Sequence, residues 1–154
     1  MKKRAVRRLM FGLAAALGLV SCGPNAGPPS SQLTTLGKVE VTARLSQVLG
    51  EFPPNKLYDY VYVMKYHVIK VHRGQVEGQD IFVGHYNPLK PRATVADKFS
   101  GAIGGNADRF QVGDVHRMAL DTPLDQLYMG GIIDKHFKEP GPRYWAIWTE
   151  RAQE

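Results

Sequence analysis

Leu57-Tyr-Asp-Tyr-Val-Tyr-Val-Met-Lys-Tyr-His-Val-Ile-Lys-Val71 is the longest strand-like run in the sequence, dense in Tyr, Val and Ile. Its even positions, Tyr58, Tyr60, Tyr62, Met64, Tyr66 and Val68, fall on one side of a pleated strand. Val61, Val63, Ile69 and Val71 make the other side apolar too. Cover on both faces predicts a strand that bends and serves two sheets of a small barrel, not one lying flat on solvent. Arg73 to Gln79, with Gly74 and Gly78, reads as a turn. Asp80 to Tyr86 returns as a second strand in which Gly84 marks a bulge or a close backbone approach. Together the two runs predict a hairpin.

Outward from the hairpin, Val39, Val41, Ala43 and Leu45 alternate with Lys38, Glu40, Thr42, Arg44 and Ser46, the period of a half-exposed strand. Gly50 and Pro53-Pro54 end it. Downstream, Pro88 to Asp108 is a long irregular stretch, within which Thr94 to Phe99 is compatible with a short helix. Phe110-Gln-Val-Gly113-Asp114 turns into a strand at Val115 to Leu120. Thr122-Pro123-Leu124-Asp125 has a helix start with threonine as cap and proline first in the helix, and Gly130-Gly131 stops it. Ile132 to Phe137 reads either way. Tyr144 to Thr149 is a last strand with Trp145 and Trp148 on opposite faces. Five or six strands and one short helix predict a mainly β chain, a small OB-like β-barrel with a long irregular loop. The rhythm Val68-Ile-Lys-Val-His-Arg-Gly74, Ile81-Phe-Val83 and Phe110-Gln-Val-Gly113-Asp114 resembles the netrin-like and metalloproteinase-inhibitor-like OB barrels. The chain lacks that family's framework cysteines, so the resemblance implies a fold and no functional residues.

The first residues decide the address. Lys2, Lys3, Arg4, Arg7 and Arg8 precede an apolar run from Leu9 to Val20, then Ser21 and the only cysteine, Cys22. A positive segment, a short apolar segment and a small residue form a secretory signal. Leu19-Val20-Ser21-Cys22 resembles the bacterial lipobox, which implies acylation of Cys22 and anchoring to a membrane through the N-terminal lipid. The chain then divides into a signal peptide over 1–21, a lipidated tether over 22–36 and one barrel domain over 37–152. Gly23 after the cysteine, in place of aspartate, implies by the same resemblance the outer membrane facing the periplasm, if the cell has two membranes. The leader holds five of the twenty basic residues, and the fifteen that remain face fourteen acidic ones. Such a near-neutral domain with scattered charges argues against nucleic-acid binding.

Three patterns are candidates for function. His67, His85 and His116 form a conceivable patch for a divalent metal such as zinc if hairpin residues summing to 152 are paired, since His67 then faces His85. The other reading is that each imidazole packs and bonds singly. Asp114 and His116 lie two apart on a strand, where the carboxylate either orients the imidazole or bonds its own turn. Tyr58, Tyr60, Tyr62 and Tyr66 with Trp145 and Trp148 form either an aromatic binding surface or barrel filling. The cysteine is committed to the lipid, no serine sits in a nucleophile elbow, and Gly104-Gly105-Asn106 lacks a phosphate loop's lysine. The expectation is a lipid-anchored, non-catalytic module of the cell envelope for a partner protein or a polysaccharide. A histidine-based metal-binding protein or hydrolase is the alternative.

Overall fold

In a computed structural model, residues 34–54, 56, 58–92, 103–134 and 137–154 are described. Cys22 and the leader, the segment Thr94 to Phe99 and His136 lie outside them. The strands are β1 (Val39–Gln47), β2 (Tyr60–Arg73), β3 (Asp80–Tyr86), β4 (Gly104–Gly105), β5 (Val115–Asp121), β6 (Gly131–Ile133) and β7 (Arg143–Arg151), with one helical turn, α1 (Leu124–Leu127). Pairing runs from β1 through β2, β3, β7 and β5, and back to β1, which closes a five-stranded barrel. Only β3 and β7 among these neighbours are parallel. Counted along the chain, the barrel strands sit in the order first, second, third, fifth, fourth, the arrangement of an OB-like barrel.

Closure is made possible by irregularity in β1. Its ladder with β2 shifts register at Glu40/Val41, at Thr42/Ala43 and between Leu45 and Gln47. Each shift adds coil, so the hairpin bends until β1 also meets β5. The two-faced strand is as its sequence requires over its first half. Tyr60, Tyr62, Met64 and Tyr66 point into the interior, while Val61 and Val63 join an outer cluster with Phe82, Leu124, Tyr128 and Trp145. Beyond Val68 the expectation of cover fails. Ile69 and Val71 are 43% and 40% exposed, because the long hairpin outruns the elements that could shield it.

Gly84 is a close approach and not a bulge. The β2–β3 register passes through it without a shift, and an added Cβ would lie 2.6 Å from Val61 and 2.7 Å from Leu124. We expect Gly84→Ala to cost about 1–3 kcal/mol in urea unfolding, as overpacking does. An unchanged midpoint would mean that α1 shifts freely on the sheet.

The helix starts one residue late. Pro123 has extended backbone and occupies the cap position without a side-chain hydrogen bond, so Thr122 does not cap. Ile132 to Phe137 resolves in part into β6, which adds to β2 in parallel with Tyr60 opposite Gly131. None of the described helices is long and apolar enough to cross a membrane.

At the other end of the fold, the residues before β1 are fastened onto the barrel. Glu40 is fully buried on the outward side of β1. It accepts from Arg117 at 2.6 and 2.7 Å, lies 3.8 Å from Arg73, and accepts from the Thr34 N–H at 2.9 Å. Arg73 donates in turn to the carbonyls of Leu36 and Gly37. Among the described residues, contacts to the barrel thus run from Thr34 at one terminus to Glu154 at the other, which pairs with Arg44.

Candidate functional site

Strand parity sends Tyr66 into the barrel, where two imidazoles converge on its hydroxyl. His85 Nε2 lies 3.1 Å and His116 Nδ1 3.0 Å from it, and all three residues are fully buried. A phenol has one proton, so Tyr66 donates to one ring and accepts N–H from the other. The remaining ring nitrogens, His85 Nδ1 and His116 Nε2, have no partner. Phe110 packs beside both rings, with centroids 4.5 Å from His85 and 5.3 Å from His116. Nearby, Arg92 is 1% exposed. It donates to the carbonyls of Asn87 at 2.6 Å and Lys90 at 3.0 Å, but its Nε and Nη1 find no partner.

Burial sets the protonation of this cluster. Desolvation, with the Arg92 charge second, holds His85 well below the usual imidazole range. Desolvation brings His116 down to about 4 against the opposing pull of Asp114. Burial raises the Tyr66 phenol well above its ordinary value and lowers Arg92 to about 10. These are neutral rings sealed inside a core.

The three-histidine patch does not form. Hairpin partners sum to 147, so His67 faces Asp80 and His85 faces Tyr62. His67 is outside, 2.9 Å from Asp80 Oδ1, and that bond is the main reason the Asp80 carboxyl sits below its usual range. Among the described residues no three His, Cys, Asp or Glu groups are placed to hold a metal ion. The pairing of Asp114 with His116 also fails: the Asp114 carboxylate accepts from the Gln111 N–H at 2.9 Å, closing its own turn.

The aromatic surface is corrected in the same way. Tyr60, Tyr62, Tyr66 and Trp145 are at most 2% exposed. Tyr60 and Tyr62 use their hydroxyls to hold the β1–β2 loop, donating to the carbonyls of Pro53 and Leu49. Burial pushes the Tyr60 phenol up to about 12. Trp145 stacks on Tyr128 at 5.3 Å, and Trp148 is half-buried against Gly104. Of the six aromatics, Tyr58 alone is open, at 58%.

What the surface does offer is a cleft of about 480 Å³ in the chain segment that connects β5 to β7, lined by Pro123, Asp125, Ile132, Asp134, Glu139 and Arg143 among others. Arg143 organises its floor. Its guanidinium lies 4.3 Å over the Phe82 ring and donates to Asp134 Oδ2 at 2.8 Å and to the carbonyls of Phe137, Glu139 and Gly141. Asp134 Oδ1 has no partner. The same loop carries Leu127 and Met129, exposed by 39% and 89%. Because β6 runs parallel to β2 with Gly131 opposite Tyr60, Met129 and Tyr58 precede that pair by the same two steps. The β1–β2 and β5–β7 loops therefore share one rim.

Sequence reasoning did not find Arg92, Glu40 or the Arg143 floor. The one signal for the cleft was Pro140 and Pro142 breaking the chain before its last strand. The architecture defines a closed five-stranded OB-like barrel with a cleft built by the connection between β5 and β7. The chain matches no model of a known protein family, no curated protein and no solved structure.

Proposed function

We propose that this chain is a non-catalytic binding module of the cell envelope, anchored by acyl chains on Cys22, that takes a partner protein or an envelope polysaccharide at its rim. One observation carries the reading. The converging groups His85, His116 and Tyr66 are sealed inside the barrel, whereas the surface presents a cleft built by the connection between β5 and β7 and, where that connection passes the start of β2, exposed Tyr58 and Met129. OB-type barrels hold oligonucleotides and oligosaccharides on the face of their second and third strands and with the loops joining the first strand to the second and the fourth to the fifth. Exposed apolar side chains around a concave, partly polar wall suit such a ligand.

A glycan array and an envelope pull-down compare the native protein with Tyr58→Ala/Met129→Ala and Asp125→Lys variants. Loss of the captured species by at least about tenfold in both variants is expected, the size that removal of a central contact produces. Capture unaffected in both would remove the rim from consideration. The mass of the N-terminal peptide from membranes reads the anchor: an unmodified Cys22 overturns it.

A further inference from the structure

The end of the barrel where β3 leaves and β5 enters holds a buried charge that the chain does not answer. Arg92 is pinned there by its backbone, whose N–H donates to the Ala107 carbonyl at 2.8 Å. Its guanidinium lies 5.4 Å from the centre of the Phe110 ring, the ring that also packs on His85 and His116. Cation, imidazoles and the Tyr66 hydroxyl thus form one cluster, and the Arg92 charge is felt at His85. No carboxylate among the described residues bonds to Arg92. Nη2 is spent on two carbonyls, while Nε and Nη1 have no partner. The acids that flank these segments are engaged elsewhere: Asp59 with Asn87 and Lys90, Asp108 with Arg151, and Asp114 with the Gln111 N–H. Removing a charge from water without an opposite charge beside it is among the costliest arrangements in a fold.

The protons of the cluster add a direction. Tyr66 has one proton for two rings, so one of the two remaining imidazole nitrogens carries N–H and the other a bare lone pair. With the Nε–H and Nη1–H groups of Arg92, open donors outnumber open acceptors. We propose that this end of the barrel binds a small oxyanion of the phosphate, sulfate or carboxylate kind, with Arg92 as its counter-charge and an imidazole N–H as a further donor. Water or a neutral ligand satisfies donors but leaves the charge, whereas guanidinium N–H groups and anionic oxygens satisfy both. His85 is the donor ring, being the one that feels Arg92. Tyr66 then donates to His85 Nε2, leaving Nδ1 protonated, and accepts from His116 Nδ1–H. The site is separate from the rim and from the anchor, so it stands or falls without them.

Equilibrium urea unfolding of the full chain is measured in chloride, and with phosphate, sulfate or acetate replacing it at one ionic strength. Because the chain opens and recloses in this measurement, entry to a closed site sets no limit. Arg92→Met is compared with Lys90→Met, which removes an exposed charge two residues away. For at least one oxyanion, the native folding constant is expected to rise about tenfold per tenfold concentration above its Kd. Lys90→Met should keep that response and Arg92→Met should lose it. No response to any of the three anions overturns the proposal, as does a response that survives in Arg92→Met or vanishes in both variants. If Arg92→Met does not fold, the imidazole nitrogen resonances of the native protein decide. Those of His85 should move with the added anion while those of exposed His67 stay, and unmoved His85 signals overturn the site.

Discussion

Lowering the pH from 7 to 4 is expected to cost the barrel about 3 kcal/mol through His116 alone. The folded protein holds this imidazole neutral down to about 4, whereas the unfolded chain takes up a proton below the model value of 6.5. Within that window the unfolded state binds more protons, so stability falls as pH falls. The fall ends where the folded value is reached. His85 adds in the same direction, since its ring is also lowered by burial and by Arg92. The groups around the pair oppose each other: Asp114 favours the charged His116 while Arg151 disfavours it. Neither matches the desolvation of a ring with no exposed surface. Asp59 and Asp80, held low by Asn87 and His67 respectively, act in a separate window below about 3.8. Urea unfolding followed by tryptophan fluorescence at pH 7.5 and 4.5 measures the loss. A triple variant, Tyr66→Phe with His85→Leu and His116→Leu, removes donors and acceptors together and should flatten the pH dependence. A native protein equally stable at both pH values would refute the buried neutral pair, as would a variant keeping the native slope.

Glu40→Ala is expected to cost about 3–5 kcal/mol, the loss typical when one member of a buried ion pair is removed. The carboxylate has no exposed surface, and its removal leaves the Arg117 guanidinium, 12% exposed at its side chain, without that partner. It also frees the Thr34 strap, whose N–H and hydroxyl both donate to Glu40 Oε2. Two readouts separate the effects. The unfolding midpoint reports the pair, and amide exchange at Thr34 reports the strap. A midpoint shifted by less than about 1 kcal/mol would place Glu40 among ordinary surface pairs.

The sequence showed strands readily and directions poorly. Val39, Val41, Ala43 and Leu45 alternate in the sequence and are at most 4% exposed in the fold. Glu40 sits in the same alternation on the nominally wet side, and Arg117, 77 positions away, with Arg73 and Thr34, makes its burial tolerable. A local period carries no information about such a partner. The tyrosines of β2 share a face as their parity requires. Whether that face looks inward depends on whether their hydroxyls find acceptors, here the carbonyls of Leu49 and Pro53 in a loop with no period of its own. The histidine pairing turned on register, which the turn after Arg73 sets. Gly74 and Gly78 there both have positive φ, and the hairpin closes five units short of the sum that pairs His67 with His85. The cleft was hardest to see, since Arg143 gathers carbonyls from residues that read as mere breakers.

β7 is last of the seven strands in chain order, yet it lies between β3 and β5 and also receives β4. Until it emerges, β5, β1, β2 and β3 can form only an open four-stranded sheet with β5 and β3 as its edges, and the interior stays open on that flank. Loop-closure entropy must be met before those distant pairings return anything, which places folding in the slow, roughly millisecond-to-second regime of non-local β topologies. A chain cut short before Arg143 leaves β3 and β5 as bare edges, the kind that recruits strands from neighbouring chains.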